Sequence, residues 1–248
     1  MLLGRALVLE VGSNIEAAGD SGVAPVTACE ADTIASRLED IRRRVAHAGG
    51  DPDQVRIVAV TKGFGPDAVD AAMTAGLFDV GENYAQELLA KAGASRADAR
   101  WHFLGPVQRN KVRRLAPVVR TWHAIDRLAA ADSVADATPG AEVMIQVNVI
   151  RAPSKPGCTP EEVDNLVAGC RRLPLDVSGL MAVGPAGDVE GTRGCFRWLA
   201  ARARRLGLRE LSMGMSDDYE IAIAEGATTL RLGRVIFGPR PGRAAVRL

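Results

Sequence analysis

The chain has 248 residues, 47% hydrophobic and 25% charged, a size and composition that suit one soluble α/β barrel with a large buried core. A net charge of +1 leaves no strong field to draw it to nucleic acid or an anionic membrane, and 4% aromatic residues are few for a base-stacking surface. Four scattered cysteines (Cys29, Cys158, Cys170 and Cys195) with no CxxC pair, and only three histidines, argue against a metal centre and for free thiols in a reducing cytoplasm.

Residues 1–28 read as a weakly structured leader, with small residues around 17–22 and no clear period. Its apolar run is cut short by Glu10, and no uninterrupted 18-residue apolar stretch follows, so neither a signal peptide nor a membrane span is predicted. From Asp32, the residues Ile34, Leu38, Ile41 and Val45 recur at helical spacing, and Gly49-Gly50-Asp51-Pro52 ends that helix. Short β-branched runs then appear at Val55–Val60, Phe78–Val80, Trp101–Leu104, Thr121–Ile125, Val143–Val149, Val177–Val183, Glu210–Met213 and Thr229–Leu232. Helical segments lie between them at Ala68–Ala75, Ala85–Ala92, Val107–Val118, Leu128–Ala137, Pro160–Arg172, Val189–Leu206 and Tyr219–Ala224. Eight such units predict a closed (β/α)8 TIM barrel, built as one domain over residues 29–240, with a frayed Arg-rich tail at 241–248.

Functional groups of such barrels come from the C-terminal strand ends and the loops after them. Lys62 follows the first strand, in a chain with 27 arginines and only four lysines (62, 91, 111 and 155). A lysine retained there suggests chemistry a guanidinium cannot do, since an amine can lose its proton and attack a carbonyl. The bland alternative is a strand-end lysine reaching solvent. The basic run Arg109 to Arg114 reads as a solvated helix face. After the seventh strand, Met213-Gly214-Met215-Ser216-Asp217-Asp218 combines a small-residue turn, a hydroxyl and a helix start; Asp217 with Glu220 also resembles a capping box. On the eighth strand, Thr229, Arg231 and Gly233 share one face, the predicted barrel interior, where a charge needs a partner. The loops after strands seven and eight are the usual phosphate site of this fold. An amine, an arginine and a phosphate-like loop pair together outline a cofactor-sized pocket.

Ala59-Val60-Thr61-Lys62, Gly81-Glu82-Asn83-Tyr84-Ala85-Gln86-Glu87, Trp101-His102-Phe103-Leu104-Gly105-Pro106, His123-Ala124-Ile125-Asp126-Arg127, Leu211-Ser212-Met213-Gly214-Met215-Ser216-Asp217-Asp218 and Arg231-Leu232-Gly233 follow one another in order. Through these stretches, which span about residues 32–240, the chain resembles the YggS/PROSC family of pyridoxal phosphate homeostasis proteins, whose fold is similar to the N-terminal barrel of alanine racemase. The resemblance implies that Lys62 carries pyridoxal 5′-phosphate as an internal aldimine and that Asn83 lies beside it. It implies that Ser216 and Gly233 hold the phosphate and that Arg231 faces the pyridine nitrogen. His102, Met213 and Gly214 complete the expected cofactor-binding set, with a satisfied barrel histidine as the alternative for His102 and a helix N-cap as a competing role for Asn83.

An arginine at the pyridine nitrogen disfavours its protonation and weakens the electron sink. Alanine racemase adds a second domain with a catalytic tyrosine, whereas this sequence is expected to lack such a domain, and Tyr84 and Tyr219 fall at helix starts. The expectation is a cytoplasmic, monomeric, non-catalytic carrier or buffer of pyridoxal 5′-phosphate, with no catalytic or metal residues and apo-forms of dependent enzymes as partners. An amino-acid racemase is the alternative, and a Schiff-base aldolase acting on a phosphorylated sugar a third reading.

Overall fold

Each apolar run forms a strand with few exposed side chains, because helices cover it outside and side chains fill the ring within. The structure, a computed structural model, describes residues 28–239 apart from 97 and 154. In chain order the elements are α1 (Ala28–His47), β1 (Arg56–Val60), α2 (Pro66–Thr74), β2 (Asp79–Glu82), α3 (Ala85–Ala94), β3 (Arg100–Phe103), α4 (Arg109–Leu115), β4 (Val119–Ile125), α5 (Leu128–Ala137), β5 (Glu142–Gln146), α6 (Val163–Cys170), β6 (Asp176–Met181), α7 (Val189–Arg205), β7 (Glu210–Ser212), α8 (Tyr219–Ala224), β8 (Thr229–Leu232) and α9 (Arg234–Phe237). Strands adjacent in sequence pair in parallel, and β8 returns to β1 with Thr229 opposite Arg56 and Leu232 opposite Ala59. The ring closes, as the eight-unit alternation predicts. The leader and tail expectations concern residues outside those described, save Ala28, which opens α1.

The main core lies between sheet and helices. In α1 the stripe Ile34, Leu38, Ile41 and Val45 is buried and faces α2, α8 and α9. Two departures from the predicted elements shape the mouth of the barrel. β5 stops at Gln146, because Val147 makes only an isolated bridge to Cys158 and Asn148 turns the chain. The Asn148 amide donates to the Ala152 carbonyl at 2.8 Å and the Lys155 carbonyl at 3.1 Å, fixing the loop that carries Lys155 and Pro156. The short helix α9, absent from the predicted set, begins directly after Gly233; four residues are too few for a readable period.

β4 is irregular. Its pairing with β5 slips between Trp122 and Ile125, and both of those residues pack in the outer core. Between them, Ala124 packs with Met144 and Met181, while the His123 ring bonds to groups on β3 and β7. The bulge thereby turns two successive side chains inward, which strict alternation forbids.

Candidate cofactor-binding site

The C-terminal strand ends open on a cavity of about 390 Å³, within the range of roughly 300–1,000 Å³ usual for small-molecule sites. Its lining includes Lys62, Asn83, Ser216, Arg231 and Gly233, so the barrel gathers these five predicted residues from the loops after β1, β2, β7 and β8 and from β8 itself. Val60, Leu104, Met181 and Val183 give it apolar walls, and Lys155 and Pro156 reach it from the loop after β5.

Lys62 is half-buried two residues past the end of β1, in a turn held from both sides. Ahead of it, the Thr61 carbonyl accepts from Lys91 Nζ at 2.7 Å; behind it, the Gly63 N–H donates to the Glu87 carboxylate at 3.0 Å. Lys91 also donates to Glu82 at 2.5 Å, and the Thr61 hydroxyl donates to the same oxygen at 2.7 Å. Glu82 is fully buried, which raises its carboxyl pKa against the pull of the Lys91 ammonium. The Phe64 ring packs on Phe237 at 5.2 Å, tying the same turn to α9. The Lys91, Glu82 and Glu87 cluster is the part of the site that the residue-by-residue reading misses. Its signals were present: one of only four lysines, four residues after a glutamate on a helix.

Asn83 is not a helix cap. α3 starts at Ala85 after Tyr84, no side chain caps it, and Asn83 borders the cavity instead. Gly105 underlies this: a Cβ there would lie 1.9 Å from the Asn83 carbonyl oxygen, so only glycine permits the close approach.

Arg231 is buried on β8. Its guanidinium donates to Ser212 Oγ at 2.7 Å and to the Ala182 carbonyl at 2.9 Å. Both acceptors are neutral. Burial lowers its pKa to about 10, partly opposed by the charge of Asp218, so it stays protonated at neutral pH. The salt bridge expected of a buried arginine is therefore replaced by neutral acceptors and a more distant carboxylate.

Ser216 and Gly233 meet where the loops after β7 and β8 converge, and the Ser216 hydroxyl accepts from the Val235 N–H at 3.3 Å. The expected capping box does not form: Asp217 pairs with Arg234, Glu220 with Arg44, and α8 follows Asp218, whose carboxylate accepts from the Met215 N–H at 2.6 Å. Asp218 has its pKa raised by burial.

Three expected residues lie outside the cavity lining. Met213 is fully buried in the outer core. Gly214 has φ +91°, and a Cβ there would come within 2.7 Å of Ala222; the glycine answers backbone and packing needs rather than approach of a ligand. His102 is buried, with Nε2 2.9 Å from Asp79 and Nδ1 2.8 Å from His123. Asp79 opens β2 at the opposite end of the barrel, so this ring is drawn away from the cavity by its partners.

The family model described as alanine racemase, N-terminal domain, matches residues 30–241. The pyridoxal phosphate homeostasis protein of Pseudomonas aeruginosa is 42% identical over 224 residues, covering 85% of this chain and 95% of the relative. That of Escherichia coli strain K12 is 36% identical over 227 residues, with 84% and 97% covered. Among solved structures, PipY of Synechococcus elongatus with pyridoxal phosphate bound aligns with TM-score 0.72 at 30% identity, covering 83% of this chain and all of that one. Alanine racemase from Corynebacterium glutamicum shares the fold alone, with TM-score 0.63 at 15% identity; this chain covers 62% of it. A closed parallel barrel with an amine at the end of its first strand thus agrees with sequence likeness over nearly the whole of its relatives, and the chain belongs to the pyridoxal phosphate homeostasis protein family of alanine racemase-like barrels.

Proposed function

We propose that this chain holds pyridoxal 5′-phosphate covalently on Lys62 and serves as a carrier or buffer of it in the cytoplasm, without turning over a substrate. The observation that carries the reading is the convergence of Lys62, Arg231, Ser216 and Gly233 on one cavity. The lining fits the ligand: an amine for the aldehyde, apolar walls for the ring, and a hydroxyl beside a chain turn for the phosphate. The bound group supplies an aldehyde that condenses with amines and a ring that withdraws electrons. Lys62 would hold the group through its side-chain amine. Asn83 would lie beside the ring, and Ser216 with the backbone at Gly233 would hold the phosphate. Arg231, donor only and charged, would disfavour protonation of the pyridine nitrogen and so restrain carbanion chemistry.

The relatives' names support a homeostatic role, and the pyridoxal phosphate bound to PipY supports the ligand. Against a racemase, neither tyrosine belongs to the cavity lining: Tyr219 is 2% exposed within the outer core, and Tyr84 is 63% exposed outside that lining. A monomer that hands its cargo to apo-enzymes completes the reading. Visible spectra of wild type and Lys62→Ala with added pyridoxal phosphate test it, together with chiral analysis of alanine and serine after incubation. The expected result is a band that Lys62→Ala abolishes and no change in enantiomer ratio. Robust racemisation by pure protein would favour the enzyme, and a protein that stays colourless would favour the aldolase reading.

A further inference from the structure

The barrel interior holds a row of polar groups of which the proposed chemistry uses only the last, Arg231. It runs from Asp79 on β2 through His102 on β3, His123 on β4 and Ser212 on β7 to Arg231 on β8. The separations are 2.9 Å, 2.8 Å, 2.9 Å and 2.7 Å in that order. His102, His123 and Ser212 are each at most 1% exposed, so no solvent can complete their bonding.

Both ends of the row have fixed roles. Arg231 can only donate. Asp79 only accepts: burial would raise its pKa, but hydrogen bonds from His102 and Arg100 outweigh this and keep the carboxylate ionised. His102 must therefore place its proton on Nε2, toward Asp79. Its Nδ1 accepts from the His123 Nε2–H, because the Ser212 hydroxyl, which takes the Arg231 N–H, finds an acceptor for its own proton among the described residues only at His123 Nδ1. His123 Nδ1 is left to accept, and the Ser212 hydroxyl supplies that proton. Ser212 Oγ keeps lone pairs for the Arg231 N–H. Every donor meets one acceptor, all pointing from Arg231 to Asp79. The opposite polarity aims a ring lone pair at a carboxylate and leaves the Ser212 proton without an acceptor among the described residues. A proton on His123 would add a second cation near Arg231 in a dry interior, and burial above all holds its pKa well below 6.5.

We propose that Asp79, His102, His123 and Ser212 form a one-way hydrogen-bond chain that orients the Arg231 guanidinium, making the four positioning residues for the cofactor's ring rather than contacts to it. Ser212 and the Ala182 carbonyl fix two of the guanidinium's N–H groups, and the rest are presented to the cavity in one orientation. The alignment also polarises Ser212, since hydrogen bonds in series strengthen one another. The cofactor-facing half of this inference rests on the function proposed above; the direction of the chain does not.

Long-range ¹H–¹⁵N correlation of the imidazoles in the full, ¹⁵N-labelled chain without added cofactor, at pH 7.5, tests the direction. Only His47, His102 and His123 contribute, and His47 is exposed. His102 and His123 are expected as neutral rings protonated at Nε2, assigned with His102→Gln and His123→Gln. An Nδ1–H tautomer or a doubly protonated ring at either position overturns the proposal. In Asp79→Asn the pattern of His123 is expected to change with that of His102, and pyridoxal phosphate affinity to fall about tenfold, while borohydride still traps the ligand on Lys62. Unchanged His123 nitrogen shifts and unchanged affinity in that variant would show that the chain does not couple its ends. If wild type forms no Lys62 adduct, the cofactor reading fails, and the wild-type tautomers still decide the direction.

Discussion

Lys91 and Glu82 form a buried ion pair, 5% and 0% exposed at the side chain, and both bond to Thr61, the residue before Lys62. Removing one partner strands the other charge, so Lys91→Met is expected to destabilise the fold by about 3–5 kcal/mol in urea unfolding. Adding Glu82→Gln should recover a large part of that loss; equal destabilisation in the double variant would show that the pair is not the source. In the same single variant the Thr61 carbonyl loses its donor, and the yield of ligand on Lys62 is expected to drop below that of wild type. At this scale the sequence is uneven in what it reveals. That Lys62 borders the cavity is legible, because lysine is scarce and strand ends are where this fold keeps its functional groups. His102, expected as a cofactor contact, lies outside the cavity lining, because its partners Asp79 and His123 come from neighbouring strands and no local pattern announces them.

Elements are easier to read than contacts. Leu128–Ala137, Tyr219–Ala224 and Thr229–Leu232 match their predicted bounds, since each combines a clear apolar pattern with turn residues at its edges. The β4 slip around His123 is not legible, because register depends on the partner strand. The same dependence explains Gly214: the sequence suggests room for a ligand, whereas the turn into α8 requires a left-handed backbone there and space against Ala222 and Leu230. Gly214→Ala is therefore expected to cost about 1–3 kcal/mol or more through strain and overpacking, seen as a lowered thermal midpoint. A midpoint equal to wild type would contradict that account of the turn.

For the molecule as a whole, closure of the ring places β8 beside β1, bringing Arg231 of the last strand opposite Val58 of the first and near the turn that carries Lys62. The price of a polar interior shows in its response to acid. His123 stays neutral in the folded barrel, while in the unfolded chain it takes a proton below about pH 6.5. Protons then favour unfolding, and stability should fall as pH drops from about 7 to 5, by up to about 1.4 kcal/mol per unit from this residue. Asp79 works in a separate window: its depressed pKa contributes stability above the ordinary carboxylate range, lost only as pH falls below about 4. Urea unfolding between pH 5 and 8 checks the first window, and an undiminished slope in His123→Gln would contradict it. The central claim is that a single amine on this barrel carries the ligand. With only four lysines in the chain, peptide mass mapping after pyridoxal phosphate and borohydride tests it most directly. One reduced pyridoxyl group on Lys62 is the predicted result; modification of Lys91, Lys111 or Lys155 in its place, or of no lysine, would contradict it.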